Sequence, residues 1–120
     1  LARDINNLGL LYYLNARYAP AIALLQEALD LARRALPEGH HVTIVTLNNM
    51  GLVYKAKNET SQATWAYTEA LRLRRMTLPE HHPDIATTLT NLGVVLVMRG
   101  EHAKVRRMAE CWARRVGEVG

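Results

Sequence analysis

At 120 residues, 49% of them hydrophobic, with Phe absent and only 7 Gly and 4 Pro, the chain carries enough apolar material for one buried core and too much for a disordered segment. Fifteen Lys and Arg against eleven Asp and Glu leave a formal charge of +4, and the excess is equal on either side of Asn58, so no basic tail marks a nucleic-acid protein. The single Cys111 excludes an intrachain disulfide and a cysteine-based metal site and suits a reducing, cytoplasmic setting, while no apolar run approaches the roughly 18–20 residues of a membrane span.

The chain starts mid-pattern at Leu1 without an initiator Met, as expected of a piece cut from a longer array. Ile5, Leu8, Gly9 and Tyr12 follow the i, i+3, i+4, i+7 spacing of a first helix. After a break at Asn15-Ala16-Arg17, Tyr18, Ala21, Leu25, Ala28 and Leu29 form the apolar face of a second, whose first turn tolerates Pro20. Leu36-Pro37-Glu38 stops that helix. A third follows with Leu47, Met50, Gly51 and Tyr54, then a fourth with Ala63, Tyr67, Ala70 and Leu71, for which Thr60-Ser61 offers N-cap hydroxyls. Beyond Leu78-Pro79-Glu80, Asp84 is placed to cap a fifth helix bearing Leu89, Leu92, Gly93 and Leu96. Val105, Met108, Ala109 and Trp112 mark a sixth.

These helices repeat. Asn6-Asn7-Leu8-Gly9 returns as Asn48-Asn49-Met50-Gly51 and as Thr90-Asn91-Leu92-Gly93, and Glu27-Ala28-Leu29 returns as Glu69-Ala70-Leu71, every time at an offset of 42. The units run approximately 1–41, 42–83 and 84–120, in one domain. A mid-helix glycine costs about 1 kcal/mol relative to alanine, so three at one offset imply close helix packing. Gly9, Gly51 and Gly93 are expected to face Ala21, Ala63 and Val105.

Leu-Gly, Tyr three residues on, a small Ala nine further, an aromatic and then Ala-Leu together resemble the tetratricopeptide repeat. Asn-Asn-Leu-Gly and the Leu-Pro-Glu-His-His-Pro-Asp-Ile-Ala-Thr-Thr-Leu connection are similar to the kinesin-light-chain type of that repeat. The resemblance implies an all-α, right-handed solenoid of three antiparallel helix pairs that binds other proteins without catalysis or cofactor. Two features depart from it. Gly39-His40-His41-Val42-Thr43 lacks the Pro83-Asp84 of the second connection, and Trp112 stands where Ala28 and Ala70 stand. A Trp cannot enter a tight alanine contact, so the third unit packs differently or Trp112 meets a further repeat.

The resemblance also implies a concave groove lined by the first helix of each pair. Its residues are expected to be Asn6, Leu10 and Tyr13; Asn48, Leu52 and Lys55; and Thr90, Val94 and Val97. Asn7, Asn49 and Asn91 adjoin them as a ladder that can hydrogen-bond a peptide backbone or space the repeats. At the places where some relatives clamp a chaperone's terminal carboxylate with Lys, Arg and Asn, only Asn49 fits, and that mode is disfavoured. The expected ligand is a peptide or protein with hydrophobic anchors and an acidic flank near Lys55, Arg17 and Arg99.

The pairs His40-His41 and His81-His82 suggest a metal, but they lie in equivalent loops and read better as helix caps. Arg72, Arg74, Arg75, Arg106, Arg107, Arg114 and Arg115 lie on second helices and read as solvated charge. Cys111 beside Met108 and Trp112 reads as a buried small hydrophobe. No Ser-His-Asp or Cys-His arrangement, Gly-rich phosphate loop or carboxylate pair indicates an enzyme. The competing function is a scaffold or sensor arm that self-associates end to end, since Trp112, Val116 and Val119 leave apolar material near the C-terminal end.

Overall fold

Each break in the pattern becomes a turn with the geometry its residues allow. The computed structural model describes the backbone of residues 1–119 and the side-chain surroundings of residues 1–117. Its helices are α1 Ala2–Leu14, α2 Tyr18–Ala35, α3 His41–Ala56, α4 Thr60–Thr77, α5 Pro83–Met98 and α6 His102–Val119. Ala16, Asn58 and Gly100 share one repeat position and all turn left-handed, with φ of 59°, 62° and 75°. Glycine takes that region freely, whereas Ala16 pays about 1 kcal/mol for it. Between pairs, Leu36 and Leu78 are extended, as residues ahead of a proline are pushed to be.

Histidines cap the helices that follow. His40 Nδ1 accepts from the Val42 N–H at 3.1 Å, and His82 Nδ1 accepts from the Asp84 N–H at 3.0 Å. Asp84, expected to be the cap, lies inside the first turn of α5 and pairs with Arg74 at 2.9 Å. Thr60 and Ser61 also fall inside their helix, because α4 starts directly behind Glu59. No side chain caps that end.

The helices form consecutive antiparallel pairs, α1 with α2 and α3 with α4, and the second helix of each pair also packs on the first helix of the next. The result is a slab of 41 × 33 × 19 Å. Ala21, Leu25 and Leu29 of α2 bury themselves against Ile44, Leu47, Met50 and Val53 of α3. Ala63, Tyr67 and Leu71 of α4 do the same against Ile85, Leu89, Leu92 and Val95 of α5. Each fully buried Leu or Met contributes about 1.5–3 kcal/mol, so these two clusters carry most of the fold.

The glycines are where the period puts them, and Gly9 faces Ala21 as expected, the Ala21 carbonyl oxygen 3.3 Å from a Cβ placed there, but the side chains that fill the space lie about one turn further along. A Cβ at Gly9 would lie 3.0 Å from Leu25 Cγ, and one at Gly51 would lie 2.6 Å from the Tyr67 ring. Helical side chains lean back over the preceding turn, so Leu25 covers the ground beside Ala21. The third pair differs. A Cβ at Gly93 would meet only Met108 Cε, at 3.6 Å. An apolar cleft of about 310 Å³ opens there between Leu89 and Gly93 of α5 and Val105, Met108, Ala109 and Trp112 of α6.

Trp112 turns inward, against the α4–α5 cluster, and its Nε1–H donates to the Glu80 carbonyl at 3.2 Å. The third unit packs differently from the first two, one of the two readings open for Trp112. The side chain of Val119 lies outside the described residues. Cys111 is partly exposed rather than buried. Several second-helix arginines are paired rather than merely solvated. Arg72 bridges Glu69 and Glu38, while Arg75 and Arg115 both reach Glu80, which fastens the loop after α4.

Candidate partner-binding face

On each first helix a stripe at the same repeat positions stays open to solvent. On α3, enclosed between neighbours, the accessible stripe includes Val45, Asn49, Leu52 and Lys55. The matching stripes are Arg3, Asn7, Leu10 and Tyr13 on α1, and Thr87, Asn91, Val94 and Val97 on α5. Four cross-helix rows result. Leu10, Leu52 and Val94 form one, and Tyr13, Lys55 and Val97 form the next.

The apolar rows grow more exposed toward α5. Leu10 and Leu52 are partly covered, whereas Val94 and Val97 are 44% and 48% exposed. Aliphatic side chains left half in water at matching positions of a packed array provide apolar area that a partner can cover. Tyr13 stacks obliquely on Tyr18, with ring centroids 6.0 Å apart.

The asparagines divide. Asn6 is buried, and its Oδ1 accepts from Asn49 Nδ2 at 3.1 Å, so this pair spaces α1 and α3. The equivalent partners at the next junction are Asn48 and Asn91. There, among the described residues, Asn48 Oδ1 is buried without a hydrogen-bond partner. Asn7 is exposed, Asn91 is partly so, and Thr90, at the position of Asn6, is exposed with its hydroxyl bonded back to the Ala86 carbonyl.

The expected basic flank is uneven. The Arg17 guanidinium lies over the Tyr12 ring at 5.7 Å. Arg99 is spent on Glu101 at 3.0 Å and the Ser61 hydroxyl at 2.8 Å. Sequence reasoning missed the row of Arg3, Val45 and Thr87, although the offset of 42 relates all three. Arg3 and His41 join Asn6, Asn7, Val42 and Val45 around a pocket of about 320 Å³ between α1 and α3. An Arg fork beside amide groups suits a carboxylate.

Beneath this face, Tyr67 is fully buried and its hydroxyl finds no hydrogen-bond partner among the described residues. Burial, with Tyr13 nearby, pushes its pKa up to about 12.

Three stacked helix pairs offering one accessible face define a helical-repeat solenoid. The tetratricopeptide-repeat family profile matches residues 2–76, and the chain belongs to that family. The fold is shared with BtubC (BKLC) from P. vanneervenii at a TM-score of 0.85 and 22% identity, over 98% of this chain and 47% of that one. It is also shared with a Podosopora anserina protein of nearly identical TPR-like repeats, assigned to the kinesin light chains, at a TM-score of 0.79 and 16% identity, over 98% of this chain and 56% of that one. The chain thus spans about half the length of these structures. No curated protein matches it, and among the described residues no helix is long and apolar enough to cross a membrane.

Proposed function

We propose that the chain is a non-catalytic interaction module, cytoplasmic in setting, that holds a peptide or partner protein on the open face of α1, α3 and α5. The observation that carries this reading is the alignment of Leu10, Leu52 and Val94 with Tyr13, Lys55 and Val97 on a face that no helix covers among the described residues. Apolar anchors of the partner lie along Leu52, Val94 and Val97, and an acidic group enters the pocket at Arg3 and His41. Asn7, Asn49 and Asn91 border the path of a peptide backbone, with Asn49 already committed to Asn6.

The test is selection from a displayed random-peptide library, followed by titration of the selected peptides against Leu52→Glu, Val94→Glu and Arg3→Glu variants. Enriched peptides should carry apolar residues with an acidic flank. Each substitution should weaken them at least tenfold, about 1.4 kcal/mol, while thermal stability stays near wild type. Peptides that bind all three variants unchanged would move the site off this face.

A further inference from the structure

The two loops between helix pairs share one plan and use its charges differently. After α4, the Glu80 side chain is only 13% exposed and takes Arg75 at 2.7 Å, with Arg115 at 3.6 Å. After α2 the matching residues are Glu38 and Arg33, and among the described residues no ion pair joins them. Glu38, 65% exposed, crosses instead to Arg72 of α4 at 3.3 Å, while Glu69 holds the same guanidinium at 3.0 Å. Arg33 is left without an ion pair among the described residues. With Arg72 it lines a cavity of about 220 Å³ between the end of α2, the loop and the start of α3.

Thr43, on the first turn of α3, lines the same cavity and is only 4% exposed. Thr46, Thr64, Thr88 and Thr90 each donate their hydroxyl to the carbonyl four residues back, at 2.7, 2.8, 2.9 and 2.9 Å. The Thr43 hydroxyl makes no hydrogen bond among the described residues. It is not sealed in as the Tyr67 hydroxyl is, so its free side opens on the cavity. Buried polar groups are as a rule hydrogen-bonded, and one left over at a cavity wall marks a place for a ligand atom. At the second loop Ile85 stands in place of Thr43, and His81 in place of Gly39. A Cβ at Gly39 would meet nothing within 4 Å, so the mouth of the cavity is clear.

We propose that this cavity binds a phosphate group, free or carried on a side chain, between Arg33 and Arg72, with the Thr43 hydroxyl donating to it. The donors come from three helices, and the N-terminal end of α3 adds the partial positive charge of its unpaired N–H groups. A carboxylate offers two oxygens in one plane. A phosphate group offers three in a tetrahedron, with a charge of about −2, which suits donors arriving from several sides. Glu38 is displaced from Arg72 as the phosphate enters, at little cost because that pair is exposed. The second loop has no such site, since Glu80 already neutralises Arg75 and an isoleucine replaces the hydroxyl.

The test is titration of the isotopically labelled chain with inorganic phosphate at constant ionic strength, followed by its amide resonances. Sodium chloride and sodium acetate serve as matched controls, and Arg33→Gln, Thr43→Val and Glu38→Gln as variants. Arg33 and Glu38 are exposed, valine nearly matches threonine in shape, and thermal melting verifies each fold. The Gly39 and Thr43 amides should shift saturably with phosphate and not with chloride, while Ile85 in the second loop stays still. Arg33→Gln should weaken binding about tenfold and Thr43→Val several-fold, and Glu38→Gln should tighten it. Shifts that never saturate, or that Arg33→Gln and Thr43→Val leave unchanged, would overturn the proposal. Acetate bound as tightly as phosphate would overturn it in favour of a carboxylate site. N-acetyl-O-phosphoserine amide separates the two sources. Binding at least as tight as that of inorganic phosphate assigns the cavity to a phosphorylated side chain, and much weaker binding assigns it to the free ion.

Discussion

The second and third helix pairs begin from the same glycine and end differently. Gly51 lies under the Tyr67 ring, so close that any Cβ would collide with it, whereas Gly93 faces open space with Met108 Cε at its edge. The cause lies on the partner helix. The position that holds Tyr67 in α4 holds Ala109 in α6, and Trp112 in place of Ala70 takes up the packing from one turn further on. A glycine recurring at one offset therefore records the period in both pairs but a steric necessity in only one.

The glycines separate the two pairs by sign. Gly51→Ala forces the Tyr67 ring, fully buried and without slack, to move. Overpacking of this kind costs about 1–3 kcal/mol, more than the helix-propensity gain near 1 kcal/mol recovers. Gly93→Ala meets nothing closer than a flexible methionine methyl at 3.6 Å, so it should keep the gain and stabilise by up to about 1 kcal/mol. Urea unfolding of both variants reads the difference directly. Equal shifts of the same sign would mean that the two pairs pack alike.

Alkali sharpens the same comparison, since only the second pair buries a phenol at this position. The folded pKa of Tyr67, about 12, lies above the ordinary value of 10.0, so the folded chain holds that proton more tightly. Its contribution is complete below pH 10 and is lost as pH rises through 12, for a total of roughly 2–3 kcal/mol. Tyr67→Phe should flatten this part of the stability–pH curve. At neutral pH the same variant should be neutral or up to about 1 kcal/mol more stable, because it removes a buried hydroxyl that has no partner. An unchanged alkaline limb in Tyr67→Phe would assign the loss to other groups.

The offset of 42 makes the helix pairs, their turns and the glycine positions legible, because repetition reports register without any knowledge of packing. It does not report lean. Position along the helix pairs Gly9 with Ala21, whose backbone does lie against it, but the side chain that fills the space is Leu25, which reaches back a turn. Caps were only half legible. Histidine acceptors at His40 and His82 follow from their place in the loops, while Thr60 and Ser61 miss the cap because their helix starts one residue earlier than the hydroxyls suggest. Among the face residues, Leu52, Val94 and Val97 follow from the resemblance, which puts the groove on the first helix of each pair. The burial of Asn6 depends on a partner 43 residues away, Asn49, and only the assembled stack supplies it.

The smallest expected effect comes from giving the third pair the side chain it lacks. Ala109→Leu places on α6 the residue that α2 carries as Leu25, against a cleft of about 310 Å³ lined by apolar groups. A well-filled cavity returns about 0.5–2 kcal/mol. The lower half of that range applies here, because the cleft is open on one side and α6 stands off α5 where α2 and α4 hug their partners. Thermal melting reads the change. A rise of a few degrees would show that the third pair is loose for want of one side chain. No rise would mean that Trp112, wedged against the core and tied to Glu80, already sets the distance between the two helices.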